Sequence, residues 1–107
     1  MPVREISVAE LETALQSGAL VVDVRETTEY VDGHVPGAVH VALGTVPDHV
    51  DAFRAEGTTY VVCRSGARSM RACEFLAQQG LDVANVAGGT LDWVAGGRPV
   101  ITGSSPL

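Results

Sequence analysis

A cysteine and its neighbours in the segment YVVCRSGARSM, residues 60–70, have the residue types that nucleophilic chemistry requires. A cysteine attacks only as the thiolate, and its ordinary pKa of about 8.5 leaves little thiolate at neutral pH. Cys63 ends a run of β-forming residues and precedes a helical pattern, so free backbone N–H groups and the positive end of that helix would stabilise the anion. Arg64 and Arg68 add positive charges that do not titrate in this range. The segment therefore predicts a reactive thiol.

The loop that follows Cys63 has the composition of a small anion-binding cup. Gly66 has no Cβ to obstruct a tight turn, and the hydroxyl of Ser65 can form local hydrogen bonds. Such a cup would suit a thiolate, a doubly charged oxyanion or a persulfide. The alternative is a buried structural cysteine at the end of a core strand, which would explain Cys63 but not the loop around it.

The charge of the whole chain favours a small anionic ligand over nucleic acid or an anionic membrane. The net charge is −6, yet three of the seven basic residues, Arg64, Arg68 and Arg71, crowd into this one segment. A locally cationic site on an acidic body is not the pattern of a general nucleic-acid or membrane surface. We therefore expect no nucleic-acid partner and no membrane partner.

The elements that position Cys63 alternate between strands and helices, which predicts an α/β domain with a mostly parallel sheet. Ser7 and Glu10 have the spacing of a capping box at the start of the first helix. Ligands of such sheets bind beyond the carboxyl ends of the strands, where Cys63 stands. The predicted strands cover residues 19–25, 38–43 and 58–63, with a last strand within 82–89. The predicted helices cover 7–18, 46–57, 69–79 and 90–97, and a short helix or turn lies within 26–38, ended by Gly33, Pro36 and Gly37.

The length of 107 residues predicts one domain, over residues 1–100, followed by a loose tail over 101–107. No apolar run approaches the length of a membrane span, and no secretory signal opens the chain, so a cytoplasmic location is expected. Cys63, Cys73 and the three histidines lack the spacing of a metal site, and no glycine loop for a nucleotide is present. We therefore expect neither a metal nor a cofactor.

Four segments together resemble the rhodanese (sulfurtransferase) family. CRSGARS at 63–69 is similar to the active-site loop of that family, and VVDVRE at 21–26, GHVPGAVHVAL at 33–43 and NVAGGTLDW at 85–93 agree with it in order and spacing. The resemblance runs from Glu5 to Pro99 and is to the single-domain type. It implies a three-layer α/β/α domain around a five-stranded, mostly parallel central sheet.

The resemblance also implies a reaction and its participants. Cys63 would attack the outer sulfur of thiosulfate or a related small anionic donor, release sulfite and become a persulfide. Cyanide, a small thiol or a protein thiol would then accept the sulfur, which is covalent catalysis in two half-reactions. The residues that would cradle the persulfide are those of the loop: Arg64, Ser65, Gly66, Ala67, Arg68 and Ser69.

Two other functions remain open at this point. The first is an interaction module that delivers the persulfide to a partner protein, which the small size of the chain and the lack of a long covering loop favour. The second is an arsenate reductase or phosphatase of the same fold. Those relatives use a seven-residue loop, whereas Cys63 to Arg68 spans six residues, and they often carry histidine where this chain has Val62.

Asp23 and Arg25 match the Asp-x-Arg of the family at the end of a strand. They are expected either to form a wall of the pocket or to belong to a structural ion pair, in which Arg25 would bind Glu29 or Asp32.

His34 and Cys73 have side chains that could take part in catalysis, but both are expected to have structural roles. His34 matches the Gly-His-x-Pro-Gly-Ala of the family and is expected to stabilise a turn by hydrogen bonds, since sulfite needs no protonation to leave. Cys73 lies within the helix beside apolar residues and is expected to be a core thiol.

Overall fold

The computed structural model describes residues 3–107, which form a five-stranded parallel sheet, four α-helices and two 3₁₀ helices. The strands are β1 (Arg4–Ile6), β2 (Val21–Asp23), β3 (Val39–His40), β4 (Thr59–Val62) and β5 (Val83–Val86). The α-helices are α1 (Val8–Gln16), α2 (Thr27–Asp32), α3 (Ala67–Gln78) and α4 (Gly89–Ala95), and the 3₁₀ helices are Leu43–Asp48 and Val50–Phe53.

The sheet has the strand order β1-β5-β4-β2-β3, so β4 lies at its centre. Every pairing is parallel, and Val61 of β4 is in register with Val22 of β2 and Asn85 of β5. Because successive side chains of a strand point to opposite faces, Val61 and Val62 enter different apolar clusters. Both are fully buried, as expected for a sheet covered on both faces.

Helices cover the two faces of the sheet and complete a three-layer α/β/α domain, as predicted. The face with Val61 packs against α3 and the 3₁₀ helices, through residues such as Leu76 and Phe53. The face with Val62 packs against α1, α2 and α4, through Leu11, Tyr30 and Trp93 respectively.

The predicted capping box at the start of α1 is confirmed. The backbone N–H of Glu10 donates to Oγ of Ser7 (3.1 Å), and the backbone N–H of Ser7 donates to Oε1 of Glu10 (3.0 Å). This reciprocal pair satisfies N–H groups that have no partner within the helix.

Three local predictions were wrong. Residues 46–57 do not form an α-helix, since Pro47 lacks an N–H and the local bonds span three residues, as in the donation from His49 N–H to the carbonyl of Val46 (3.0 Å). Helix α3 begins at Ala67 rather than Ser69, with Gly66 as its N-cap. Strand β1 was missed because it has only three residues, of which the first two are exposed.

The C-terminal segment 101–107 differs from the expected loose tail. The backbone of Ile101 exchanges two hydrogen bonds with that of His34, both 2.9 Å, and Gly103 N–H donates to the carbonyl of Val31 (2.8 Å). Gly37 N–H donates to the carbonyl of Pro106 (2.9 Å). The side chains of this segment are mostly exposed, but its backbone is held to the rest of the domain by these hydrogen bonds.

Within residues 3–107, none of the helices is both long enough and apolar enough to cross a membrane.

Candidate active site

Cys63 stands directly after β4, at the carboxyl end of the central strand. Its side chain is only 1% exposed and belongs to the apolar cluster between the sheet and α3. The thiol is therefore buried beneath the loop that follows it rather than on the surface.

The loop after Cys63 curls around the sulfur because Gly66 takes a backbone conformation that other residues rarely adopt. Gly66 has a φ of +111°. Its N–H donates to Sγ of Cys63 (3.1 Å), and its carbonyl accepts from Met70 N–H as the first bond of α3. Oγ of Ser69, in the first turn of α3, lies 3.3 Å from Sγ. Backbone and hydroxyl groups thus surround the sulfur.

These groups lower the pKa of Cys63 below its ordinary value, although burial acts against them. Removal from water favours the neutral thiol and raises the pKa. The hydroxyl of Ser69 and the backbone N–H groups of Ser69, Gly66 and Ser65 favour the thiolate, and together they outweigh burial. The loop therefore stabilises the nucleophilic form mainly through hydrogen bonds.

The outer side of the loop is held by the first turn of α4. Thr90 donates to the carbonyl of Cys63 from its N–H (2.9 Å) and from its hydroxyl (3.0 Å), and Leu91 N–H donates to the carbonyl of Arg64 (3.0 Å). Gly89 permits this approach, because a Cβ there would lie 2.5 Å from the carbonyl oxygen of Cys63. With its carbonyls engaged on α4, the loop presents N–H groups to the sulfur.

The two arginines of the loop have different surroundings. Arg68 forms a two-pronged ion pair with Glu29 of α2, with Nη1–Oε1 and Nη2–Oε2 distances of 2.7 and 2.9 Å. The hydrogen bonds from Arg68 lower the pKa of Glu29 to about 2 against the effect of burial. The carboxylate of Glu29 therefore offsets much of the positive charge of Arg68, a partner that the sequence alone did not indicate. Arg64 is exposed.

Asp23 and Arg25 form a structural ion pair, as one of the two expectations had it, but with each other. Nε and Nη2 of Arg25 both donate to Oδ2 of Asp23, at 3.0 and 2.8 Å, and both side chains are buried. Nη2 also donates to the carbonyl of Gly33 (2.8 Å). The expected partners, Glu29 and Asp32, were wrong: Glu29 binds Arg68, and Asp32 is exposed.

His34 is a buried hydrogen-bonding residue, as predicted. Nδ1 lies 2.8 Å from the carbonyl oxygen of Tyr30 and Nε2 lies 2.9 Å from that of Ser105. The ring also stacks on Tyr30, with 3.7 Å between centroids. Both nitrogens are engaged by backbone carbonyls, which fits a structural role that joins α2 to the C-terminal segment.

Cys73 lies in the core, as predicted. Its side chain is fully buried on the α3 face of the sheet, and burial raises the pKa of its thiol to about 12. The two cysteines of the chain thus have opposite tendencies to ionise.

Asn85 of β5 was not singled out from the sequence, although it lies within the NVAGGTLDW segment. It is fully buried, and its amide contacts Ser69, Gly66 and Glu5. The available signal was a polar amide in the middle of an apolar strand, since such a group must find hydrogen-bond partners when it is buried.

A cavity of about 580 Å³ opens beside the loop, between α2 and α4. Arg25, Arg64 and Thr90 are among the residues that line it. Leu91, Val94 and Val100 also line it and are unusually exposed for large aliphatic residues, at 46%, 54% and 37%. The Cys63 loop thus adjoins an apolar surface, through Arg64 and Thr90.

Comparisons with known proteins find a matching domain family and several relatives. The model of the rhodanese-like domain matches residues 7–96. YtwF of Bacillus subtilis is 35% identical over 101 residues, which cover 92% of this chain and 98% of that protein. The thiosulfate sulfurtransferase GlpE of Pseudomonas putida (strain GB-1) is 38% identical over 86 residues, or 79% of this chain and 78% of that protein.

Among solved structures, the crystal structure of a rhodanese-related protein from Thermoplasma volcanium superimposes with a TM-score of 0.85. The two chains are 31% identical, and the match covers 92% of this chain and 97% of the other.

Proposed function

Because this chain belongs to the rhodanese-like domain family and is a rhodanese-type sulfurtransferase, we propose that it carries sulfane sulfur as a persulfide on Cys63. The donor that we propose is thiosulfate or a similar small anion, by analogy with the name of the Pseudomonas relative. The acceptor is cyanide or a thiol.

In the first half-reaction the Cys63 thiolate attacks the outer sulfur of thiosulfate. A new S–S bond forms at Sγ, the bond between the two sulfur atoms of thiosulfate breaks, and its electron pair leaves with sulfite. Three negative charges enter the step, and three leave it as sulfite and the persulfide anion. No proton is transferred, so His34 is not needed as an acid.

In the second half-reaction a nucleophile attacks the outer sulfur of the persulfide. Cyanide leaves as thiocyanate, or a thiolate leaves as a new persulfide, and the Cys63 thiolate is restored. The backbone N–H groups of the loop can donate to the anionic sulfur of the thiolate and to that of the persulfide. They therefore stabilise both forms of the enzyme without any change of protonation.

The observation that carries this proposal is the donation from Gly66 N–H to Sγ of Cys63 at the end of the central strand. A structural cysteine would need no such donor, whereas a thiolate or persulfide would. The six-residue span from Cys63 to Arg68 supports sulfur transfer over phosphate or arsenate chemistry, as the family resemblance implies.

Intact-mass spectrometry after incubation with thiosulfate tests the proposal. We expect a gain of about 32 Da, the mass of one sulfur atom, that cyanide then removes. The Cys63→Ser variant should show no gain, and the Cys73→Ser variant should behave as wild type. A wild-type mass that stays unchanged with thiosulfate and with other sulfane donors would contradict the persulfide mechanism.

A second candidate, a module that delivers sulfur to a partner protein, has its own supporting observation. The exposed side chains of Leu91, Val94 and Val100 form an apolar surface beside the Cys63 loop, larger than thiosulfate or cyanide needs. Rapid persulfide formation together with negligible turnover by cyanide and small thiols would favour this candidate. Rapid turnover by those small acceptors would contradict it.

A further inference from the structure

We propose that Asn85 is a positioning residue that directs the single hydroxyl proton of Ser69, and thereby sets how readily Cys63 becomes a thiolate. This inference rests on the proposed function only in taking Cys63 as the nucleophile. It concerns a residue on β5 that does not contact the substrate but holds a group that contacts the sulfur.

The orientation of the Asn85 amide is determined by its neighbours. Nδ2 donates one hydrogen to Oε2 of Glu5 (2.9 Å) and the other to the carbonyl of Gly66 (3.1 Å). Both neighbours are acceptors only, so a reversed amide would place its oxygen against a carboxylate and a carbonyl. Oδ1 of Asn85 therefore points at the hydroxyl of Ser69.

The hydroxyl of Ser69 has three acceptors within reach but only one proton. Oγ lies 3.3 Å from Sγ of Cys63, 3.3 Å from the carbonyl oxygen of Gly66 and 2.5 Å from Oδ1 of Asn85. The nearest acceptor takes the proton while Cys63 is a neutral thiol. When the thiol loses its proton to solvent, the charged sulfur becomes the stronger acceptor and the hydroxyl must turn towards it.

Asn85 thus competes with the sulfur for the same hydrogen bond. Each ionisation of Cys63 requires Ser69 to leave Oδ1 of Asn85, which costs part of the stabilisation that the thiolate gains. Without that acceptor, the hydroxyl would have only the sulfur and the carbonyl of Gly66 as acceptors, both at 3.3 Å, and would donate to the sulfur more readily. The competition therefore holds the thiol less acidic than the loop alone would make it.

Glu5 anchors this arrangement from the neighbouring strand. It is the register partner of Asn85 in the β1–β5 pairing, which places its carboxylate beside Nδ2. Among the described residues, other charged or titratable groups near the loop include Arg64, Arg68 with Glu29, Asp23 with Arg25, and Cys73 with Glu74. All of these remain unchanged when Asn85, Ser69 or Glu5 is replaced.

The test is the pH dependence of Cys63 alkylation by iodoacetamide, followed by mass spectrometry. We expect Asn85→Leu, which removes Oδ1 at similar size, to move the midpoint to lower pH by about half a unit, or about threefold more thiolate below the midpoint. The double variant Ser69→Ala/Asn85→Leu should have the same midpoint as Ser69→Ala alone, because the hydroxyl through which Asn85 acts is absent from both. A midpoint that rises, or a shift that persists without the hydroxyl, would overturn the proposal.

Two variants of the exposed residue Glu5 keep the proposal testable if Asn85→Leu does not fold. Glu5→Gln retains an acceptor for Nδ2, whereas Glu5→Leu does not, and both remove the same charge. We expect the midpoint of Glu5→Leu to lie below that of Glu5→Gln, and equal midpoints would overturn the proposal. Alkylation uses no sulfur donor, so its outcome is independent of the thiosulfate mass gain that tests sulfur transfer.

Discussion

Arg68 and Glu29 join the end of the Cys63 loop to α2 through two parallel hydrogen bonds, across 39 positions of the chain. The pair makes stability depend on pH. The pKa of Glu29 falls from its ordinary 4.5 to about 2 in the folded protein, chiefly because Arg68 donates to its carboxylate. The stabilisation is therefore complete above about pH 4.5 and is lost as the pH falls towards 2.

We expect Glu29→Gln to lower the free energy of unfolding at pH 7 by about 1 kcal/mol, a modest value because the pair is partly exposed. The difference between variant and wild type should shrink as the pH falls from 4.5, since wild type then loses the same charge. Denaturant unfolding at several pH values measures this. Arg54→Gln, which breaks an exposed pair with Asp51, is the matched control and should have little effect. A difference that stays constant with pH would contradict the assignment.

Gly89 is expected to tolerate no side chain. A Cβ at this position would lie 2.5 Å from the carbonyl oxygen of Cys63 and 2.6 Å from that of Arg64, and φ is +56°. We expect Gly89→Ala to destabilise the fold by about 3 kcal/mol and to slow persulfide formation, because the loop must move away from α4.

Gly44→Ala is the control for this replacement, since nothing lies within 4 Å of the added atom and its φ is not in the left-handed region. It should change neither thermal stability nor sulfur loading appreciably. Equal behaviour of the two variants would show that the approach of α4 to the loop is not as restrictive as the geometry indicates.

Cys73 is expected to be inert in the native protein. Burial raises the pKa of its thiol to about 12, whereas hydrogen bonds lower that of Cys63. Iodoacetamide at pH 7 should therefore add one group to the folded protein, at Cys63, and two groups in denaturant. Peptide mapping locates the adducts. Native modification of Cys73 at a rate similar to that of Cys63 would show that the core opens on the time scale of the reaction.

The apolar surface beside the Cys63 loop is expected to affect only acceptors that are large enough to cover it. We expect Val94→Asp to slow sulfur transfer to a cysteine-containing peptide with apolar neighbours about fivefold, with persulfide formation and transfer to cyanide unchanged. Leu107→Asp replaces an exposed aliphatic residue outside the cavity and should leave all three rates unchanged. Equal slowing of the cyanide reaction by Val94→Asp would indicate a disturbed loop instead.

The elements with strong local signals could be predicted from the sequence. The Ser7–Glu10 spacing specifies a helix start within four residues, and the β-branched run before Cys63 has the length and burial of a central strand. The prediction of an α-helix over 46–57 was wrong because apolar spacing does not distinguish an α-helix from 3₁₀ turns. Pro47, which lacks a backbone N–H, was the residue that argued against an α-helix there.

The side-chain contacts of the site were harder to predict. The Asp23–Arg25 pair had a local signal, because alternate residues of an extended segment point to the same side. No local signal in the sequence indicates the Arg68–Glu29 and Asn85–Ser69 contacts, since each joins elements that lie together only in the folded sheet. The pairing of the C-terminal backbone is likewise invisible in a composition of small polar residues.

The shortness of the outer strands bears on how molecules of this protein meet one another. The two edges of the sheet are β1, with three residues, and β3, with two. An edge strand of another molecule could form few backbone hydrogen bonds with either, and on β1 it would meet the charged, exposed Arg4 and Glu5. Glu5, which accepts a hydrogen bond from Asn85 inside the molecule, thus also disfavours edge-to-edge aggregation of the sheet.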